Sequence, residues 1–122
     1  MMLDCKTSKD VMKAIKEHGV QMVDIRFTDM PGMWQHISYP AAAYDQDLID
    51  EGHGFDGSSI RGFKAINESD MVLMPDTDTV HMDPFFAQST MVVLCDILDP
   101  ISGEAYNRDP RGTAKKAEAY MK

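Results

Sequence analysis

Between Phe55 and Asp70 the chain reads FDGSSIRGFKAINESD, with one carboxylate, Asp56, followed at once by Gly57, Ser58 and Ser59. A carboxylate attracts a cation and accepts a proton, and a hydroxyl three residues further on, Ser59, can hydrogen-bond to the same ligand. Gly57 and Gly62 open backbone conformations that other residues avoid and let another molecule approach closely. Composition alone would make the segment a solvated Gly/Ser connector. Phe55, Ile60, Phe63 and Ile66 argue otherwise, because apolar side chains gain nothing in a free linker. The segment is therefore expected to be an ordered loop docked on another surface, holding half of an active site.

The other reactive residues form no such group. His18, His36, His53 and His81 are far apart, with no HxH or HxxxH partner, and a satisfied or surface histidine is the expectation for each. Ser58 and Ser59 lie outside any GxSxG frame, and neither a Walker A loop nor a GxGxxG fingerprint is present. Asp24, Asp29, Asp76, Asp78 and Asp83 fall near strand ends and turns, where aspartate commonly caps the backbone. Cys5 and Cys95 lack metal-ligand spacing and are read as free thiols of a reducing compartment. A net charge of −8 argues against nucleic acid as a partner. The basic residues cluster once, at Arg108, Arg111, Lys115 and Lys116, which reads as a solvated helix face. No apolar run approaches the ~20 residues a membrane span requires, and no secretory signal is visible.

The elements that position the loop follow from periodicity. Thr7 and Asp10 have capping-box spacing, Val11, Met12 and Ile15 share a helical face, and Gly19 stops the helix. Val20–Phe27 changes to period two, with Val23, Ile25 and Phe27 inward and Asp24 and Arg26 outward. A Pro31-Gly32 turn leads to a second strand, Met33–Tyr39, so the pair reads as a hairpin. Residues 41–51 suit a short helix ended by Gly52. Strands are expected at Met71–Met74, Thr79–Met82 and Thr90–Leu98, the last central because it is almost wholly apolar. Asp109-Pro110 opens a final helix with an aspartate cap and proline at the first position. The fold class expected is α+β, one mixed sheet with the first helix packed across it.

These motifs carry a resemblance. FDGSSIRGF followed by NESDMVLMPD resembles the N-terminal domain of bacterial type I glutamine synthetase, as do RFTDMPGMWQH, DPFF and YNRDPRGTAKKAEAY. The likeness runs in one register from about Val20 to Lys122. It implies a β-grasp fold for residues 1–103, with residues 104–122 starting a catalytic domain. It also implies the ATP-dependent ligation of ammonia to glutamate through a γ-glutamyl phosphate, in a cytoplasmic homo-oligomer of two stacked hexameric rings. Each active site then lies between one subunit's catalytic domain and its neighbour's N-terminal domain. The loop's Asp56 would bind ammonium and take its proton, with Ser59 beside it and Asp70 near the flap that closes the site. Phe63 falls where the family often has an aromatic residue near the ring interface, and Arg61 where some members have a smaller residue.

ATP and Mg²⁺ or Mn²⁺ would belong to the catalytic domain, so none is expected on these 122 residues, nor any tight metal or nucleotide site. The chain stops with its last helix in progress, which reads as a fragment inactive alone. The alternative is a stand-alone β-grasp interaction module without catalysis.

Overall fold

The computed structural model describes residues 3–57, 60 and 70–122. Helix α1 spans Ser8–Glu17 and opens with the expected reciprocal cap. Thr7 Oγ1 accepts the Asp10 amide at 3.3 Å, while Asp10 Oδ2 accepts the amides of Thr7 and Lys6 at 3.2 and 3.1 Å. At its other end Gly19 adopts a φ of 59°. There its amide reaches Lys16 O and the Val20 amide reaches Ile15 O, at 3.4 and 3.0 Å. That is the Schellman closure, which needs a residue free to take a positive φ. Val11, Ala14 and Ile15 make the buried face of the helix.

Strand β1 (Met22–Thr28) pairs antiparallel with β2 (Trp34–Pro40) through seven register pairs, from Met22↔Pro40 to Thr28↔Trp34. Beyond a 3₁₀ turn at Ala41–Ala43 come α2 (Gln46–Asp50), β3 (His53–Asp56), β4 (Asp70–Pro75), a 3₁₀ turn at Thr77–Thr79, β5 (His81–Asp83), β6 (Thr90–Leu98) and α3 (Pro110–Met121). The sheet order is β2-β1-β6-β4-β3, with β5 also on β6. The β1–β6 contact is parallel and the others are antiparallel. Inward residues of β1, β4 and β6, including Ile25, Leu73, Met91 and Ile97, share one core with the buried face of α1. The expected α+β class, the cap of α1, the hairpin and the central place of Thr90–Leu98 are all present.

Three expectations need correction. A single helix over 41–51 is instead a 3₁₀ turn and a short helix, because Tyr44 is extended and Asp45 caps a fresh start by accepting the Leu48 amide at 3.0 Å. The strand expected at Thr79–Met82 covers only His81–Asp83, since Asp76 winds Thr77–Thr79 into a 3₁₀ turn by accepting the Asp78 amide. Residues His53–Asp56 form a strand that periodicity had not shown, as Gly54 leaves only two inward side chains to mark it.

Helix α3 has the expected cap: Asp109, itself 1% exposed, accepts the Arg111 amide at 3.1 Å and, through Oδ2, the Ile97 amide at 3.3 Å. Burial pushes this carboxyl above its usual pKa. The basic cluster is not simply a solvated face. Arg111 forks between Asp96 and Asp76 at 2.5 and 2.7 Å, and Lys115 reaches Asp96 at 2.6 Å, so both tie α3 to the sheet. Beyond them the helix is exposed, Tyr120 to 92% and Met121 to 81%.

Two stability measurements check this packing. Gly52 holds a φ of 85°, and a Cβ there would lie 2.8 Å from the Leu73 carbonyl oxygen and 2.5 Å from Val72 Cγ1. In denaturant titration Gly52→Ala is expected to lose more than the ~1–2 kcal/mol that left-handed backbone alone costs a non-glycine residue. Tyr44 is 2% exposed and its hydroxyl has no hydrogen-bond partner among the described residues. Tyr44→Phe removes that orphan and is expected to stabilise by about 1–3 kcal/mol; an unchanged or lowered unfolding midpoint would show that the hydroxyl is satisfied in solution.

Candidate functional site

Asp56 ends β3 and Asp70 begins β4, and the antiparallel register sets them directly opposite one another. The sequence had placed Asp56 inside a loop and Asp70 at a strand start fourteen positions away. The pairing His53↔Leu73, Gly54↔Val72, Phe55↔Met71 brings the two carboxylates together. Both are exposed, while His53 and Phe55 are half-buried on the other side of the strand, as period two requires. Directly opposed side chains stand ~4.5–5.5 Å apart at Cβ, and like charges so placed repel. A cation bound between them would relieve that repulsion. Ser59, with Gly62, Phe63, Ile66 and Arg61, lies outside the described residues.

Beside Asp56 is a cavity of about 250 Å³ lined by Phe27, Gln35, His36, Ile37, Phe55 and Ile60 together with Asp56 itself. Its walls come from the β1–β2 hairpin at one end of the sheet order and from β3 and Ile60 at the other. They meet because the sheet curls until its two end strands face each other. Phe27 packs on Phe55 with ring centroids 5.2 Å apart, and Tyr39 on β2 meets His53 on β3 edge-on at 5.3 Å. Gln35 is oriented by Asp29, whose Oδ2 accepts its side-chain amide at 2.9 Å while Oδ1 accepts the Met33 amide at 2.7 Å. Asp29 thus fills the capping role expected of it. The result is a largely apolar, open hollow with a carboxylate at its rim.

A second polar group, on the opposite face of the hairpin, corrects the reading of Asp24. It is not a cap but a buried carboxylate in mid-strand, 2% exposed. It accepts from Arg26 Nε at 2.8 Å, His36 Nδ1 at 2.7 Å and Ser38 Oγ at 2.9 Å, and Arg26 reaches on to Asp83 at 3.0 Å. Alternation had put Asp24 on the solvent side. Arg26, His36 and Asp83 cover it there, with Trp34 and Phe86 walling the cleft above. Period two detects which side of a strand a residue takes but not whether something polar closes over it.

The remaining groups are satisfied structurally. His81 Nδ1 lies 2.7 Å from the Thr79 carbonyl oxygen. Cys5 and Cys95 are buried free thiols, and burial pushes Cys95 up to about 12. Among the described residues no group of three or more His, Cys, Asp or Glu is placed to hold a metal ion. No helix among them is long and apolar enough to cross a membrane.

The chain is similar to known proteins. A glutamine synthetase of Rhizobium meliloti (strain 1021) is 67% identical over 116 residues, which are 95% of this chain and 25% of that protein. A 3-hydroxylaminophenol mutase of Cupriavidus pinatubonensis (strain JMP 134 / LMG 1197) is 53% identical over 113 residues, 93% of this chain and 24% of its own length. The chain thus spans about a quarter of the length of the relatives it matches. The cryo-electron-microscopy structure of Plasmodium falciparum glutamine synthetase superposes with a TM-score of 0.83 over 94% of this chain and 22% of its own, at 21% identity, which shows a shared fold. Residues 19–100, more than half of the chain, match the family described as glutamine synthetase, beta-Grasp domain, and the chain belongs to that family.

Proposed function

We propose that this chain is the N-terminal domain of a glutamine synthetase and supplies the ammonium-binding wall of an active site completed by a neighbouring subunit. The observation that carries this reading is Asp56 at the rim of the Phe27–Phe55 cavity, with Asp70 opposite it in the strand register. Ammonium is a cation and is drawn to paired carboxylates. Asp56 accepts one of its protons, leaving a neutral nitrogen whose lone pair attacks the γ-carbonyl carbon of γ-glutamyl phosphate. The C–N bond forms, phosphate departs with the C–O bonding pair, the nitrogen gives up a second proton that the departing phosphate takes, and glutamine results. Positioned proton transfer of this kind is worth ~10²–10⁴-fold in rate. Apolar walls such as Phe27, Ile37 and Phe55 exclude the water that would hydrolyse the acyl phosphate. Ser59 stands beside Asp56 as a hydrogen-bonding partner of the bound nitrogen, on the strength of the DGSS motif.

ATP, Mg²⁺ or Mn²⁺ and most glutamate contacts belong in this reading to the other three quarters of the protein. Residues 104–122 begin that part, residues 1–103 form the β-grasp domain, and the assembly is two stacked hexameric rings in the cytoplasm. The quarter represented here does not catalyse alone. A different second reading, in which the domain serves another reaction, takes the place of the stand-alone module without catalysis, because a relative at 53% identity over 93% of this chain is named as a mutase.

The full-length protein separates the readings. Asp56→Asn keeps size and loses charge, and is expected to raise the apparent KM for ammonium and to lower turnover by about 10²–10⁴-fold, with assembly and ATP binding unchanged. Ser59→Ala is expected to cost roughly 0.5–1.5 kcal/mol, one neutral hydrogen bond. Near-normal ammonium kinetics in Asp56→Asn would remove the catalytic role. Absence of any ammonium-dependent glutamine formation by the unmutated protein would favour the second reading.

A further inference from the structure

We propose that Tyr39 and His53 form a latch between the two ends of the curled sheet, and that this latch positions Asp56 for ammonium. The inference rests on the reading of Asp56 given above. Strands β2 and β3 are the ends of the sheet order and share no backbone pairing, so only side chains close the seam between them. Among the described residues two ring contacts join the β1–β2 hairpin to β3. Phe27 of β1 packs on Phe55, an apolar contact without fixed direction. The Tyr39 hydroxyl donates to His53 Nδ1, a contact that fixes both distance and direction, and the rings meet edge-on at 81°.

The two sides of the latch differ in rigidity. Tyr39 lies on a strand held by seven register pairs to β1, and its ring is backed by Tyr44 at 5.6 Å. His53 begins a four-residue strand paired with β4 alone. Short edge strands with few bonds are where local opening begins. Asp56 ends that strand, three residues and roughly 10 Å from His53 at ~3.3 Å per residue. Neither latch residue reaches the cation, so both are positioning residues. Burial supports the assignment of donor and acceptor. It lowers the His53 pKa, which favours the neutral ring that has one nitrogen able to accept, and it raises the Tyr39 pKa, which keeps the hydroxyl protonated and able to donate. Gly54, between His53 and Phe55, contributes no side chain, so the register of β3 against β2 depends on these two contacts.

The test uses steady-state kinetics of the full-length protein with ATP, glutamate and ammonium. Tyr39→Phe keeps both ring contacts and removes only the hydroxyl. It is expected to raise the ammonium KM about three- to tenfold, the value of one hydrogen bond, with the KM values of glutamate and ATP unmoved. The effect should vanish when Tyr39→Phe is placed on Asp56→Asn, because there is then no carboxylate to misplace. His53→Gln keeps an acceptor and should restore most of the affinity that His53→Leu loses. This second pair carries the test even where Tyr39→Phe fails to assemble. An ammonium KM unmoved by Tyr39→Phe, or equal in His53→Gln and His53→Leu, would overturn the latch while leaving Asp56 in its role. An Asp56→Asn protein with normal ammonium KM would remove the Asp56 reading, and the latch with it.

Discussion

Residues 90–98 are buried along most of their length, so the backbone of β6 must find its hydrogen bonds inside the fold. One edge is taken by β1, in parallel register from Met22↔Thr90 to Arg26↔Leu94. The other edge is shared end to end by β5, over 90–92, and β4, over 95–98. At the step between them Thr79 Oγ1 accepts the Leu94 amide at 2.9 Å and the Asp76 amide donates to Leu94 O at 2.9 Å. Where β1 ends, the Ile97 amide turns to Asp109 and the Ile97 carbonyl to the Tyr106 amide. The 3₁₀ turn, the buried cap of α3 and the step from β4 to β5 are thus answers to one requirement, the pairing of a central strand.

Carboxylates tie the outer elements to this frame. Asp24 holds Arg26, His36 and Ser38 across the hairpin, Asp83 extends the group to β5, and Asp76 and Asp96 hold Arg111 against the sheet. Removing one partner of a buried charge leaves the other unpaired, which is far more costly than losing a surface ion pair. The acidic composition therefore reflects internal fastening as well as solvated surface. Asp56 and Asp70 form an exposed opposed pair where the chain passes from β3 to β4, and the functional reading starts from that register.

Much of this was legible from the residues alone. Thr7 and Asp10 specify the start of α1 because both halves of the cap lie within one turn. Gly19 and Gly52 mark chain reversals because the backbone there takes positive φ. Val23, Ile25 and Phe27 mark a strand face because side chains alternate. Thr90–Leu98 declares itself central because only a strand covered on both faces tolerates so apolar a run. Asp56 stood out as a candidate because a carboxylate followed at once by glycine and two serines can draw a cation and accept a proton. These signals depend on neighbours within a few positions, which is the range over which periodicity and capping act.

What only the tertiary structure decided are relations between residues distant in sequence. The register of β3 with β4 sets Asp56 against Asp70, and nothing in either segment announces that pairing, since a shift of one residue would leave both local patterns unchanged. The curl that brings Tyr39 to His53 and Phe27 to Phe55 arises from strand twist summed over the whole sheet. Burial of Asp24 and of Arg111 depends on which charged groups arrive from other strands. Local chemistry named the carboxylate; pairing, twist and packing decided which second carboxylate, which cavity and which seam it belongs to.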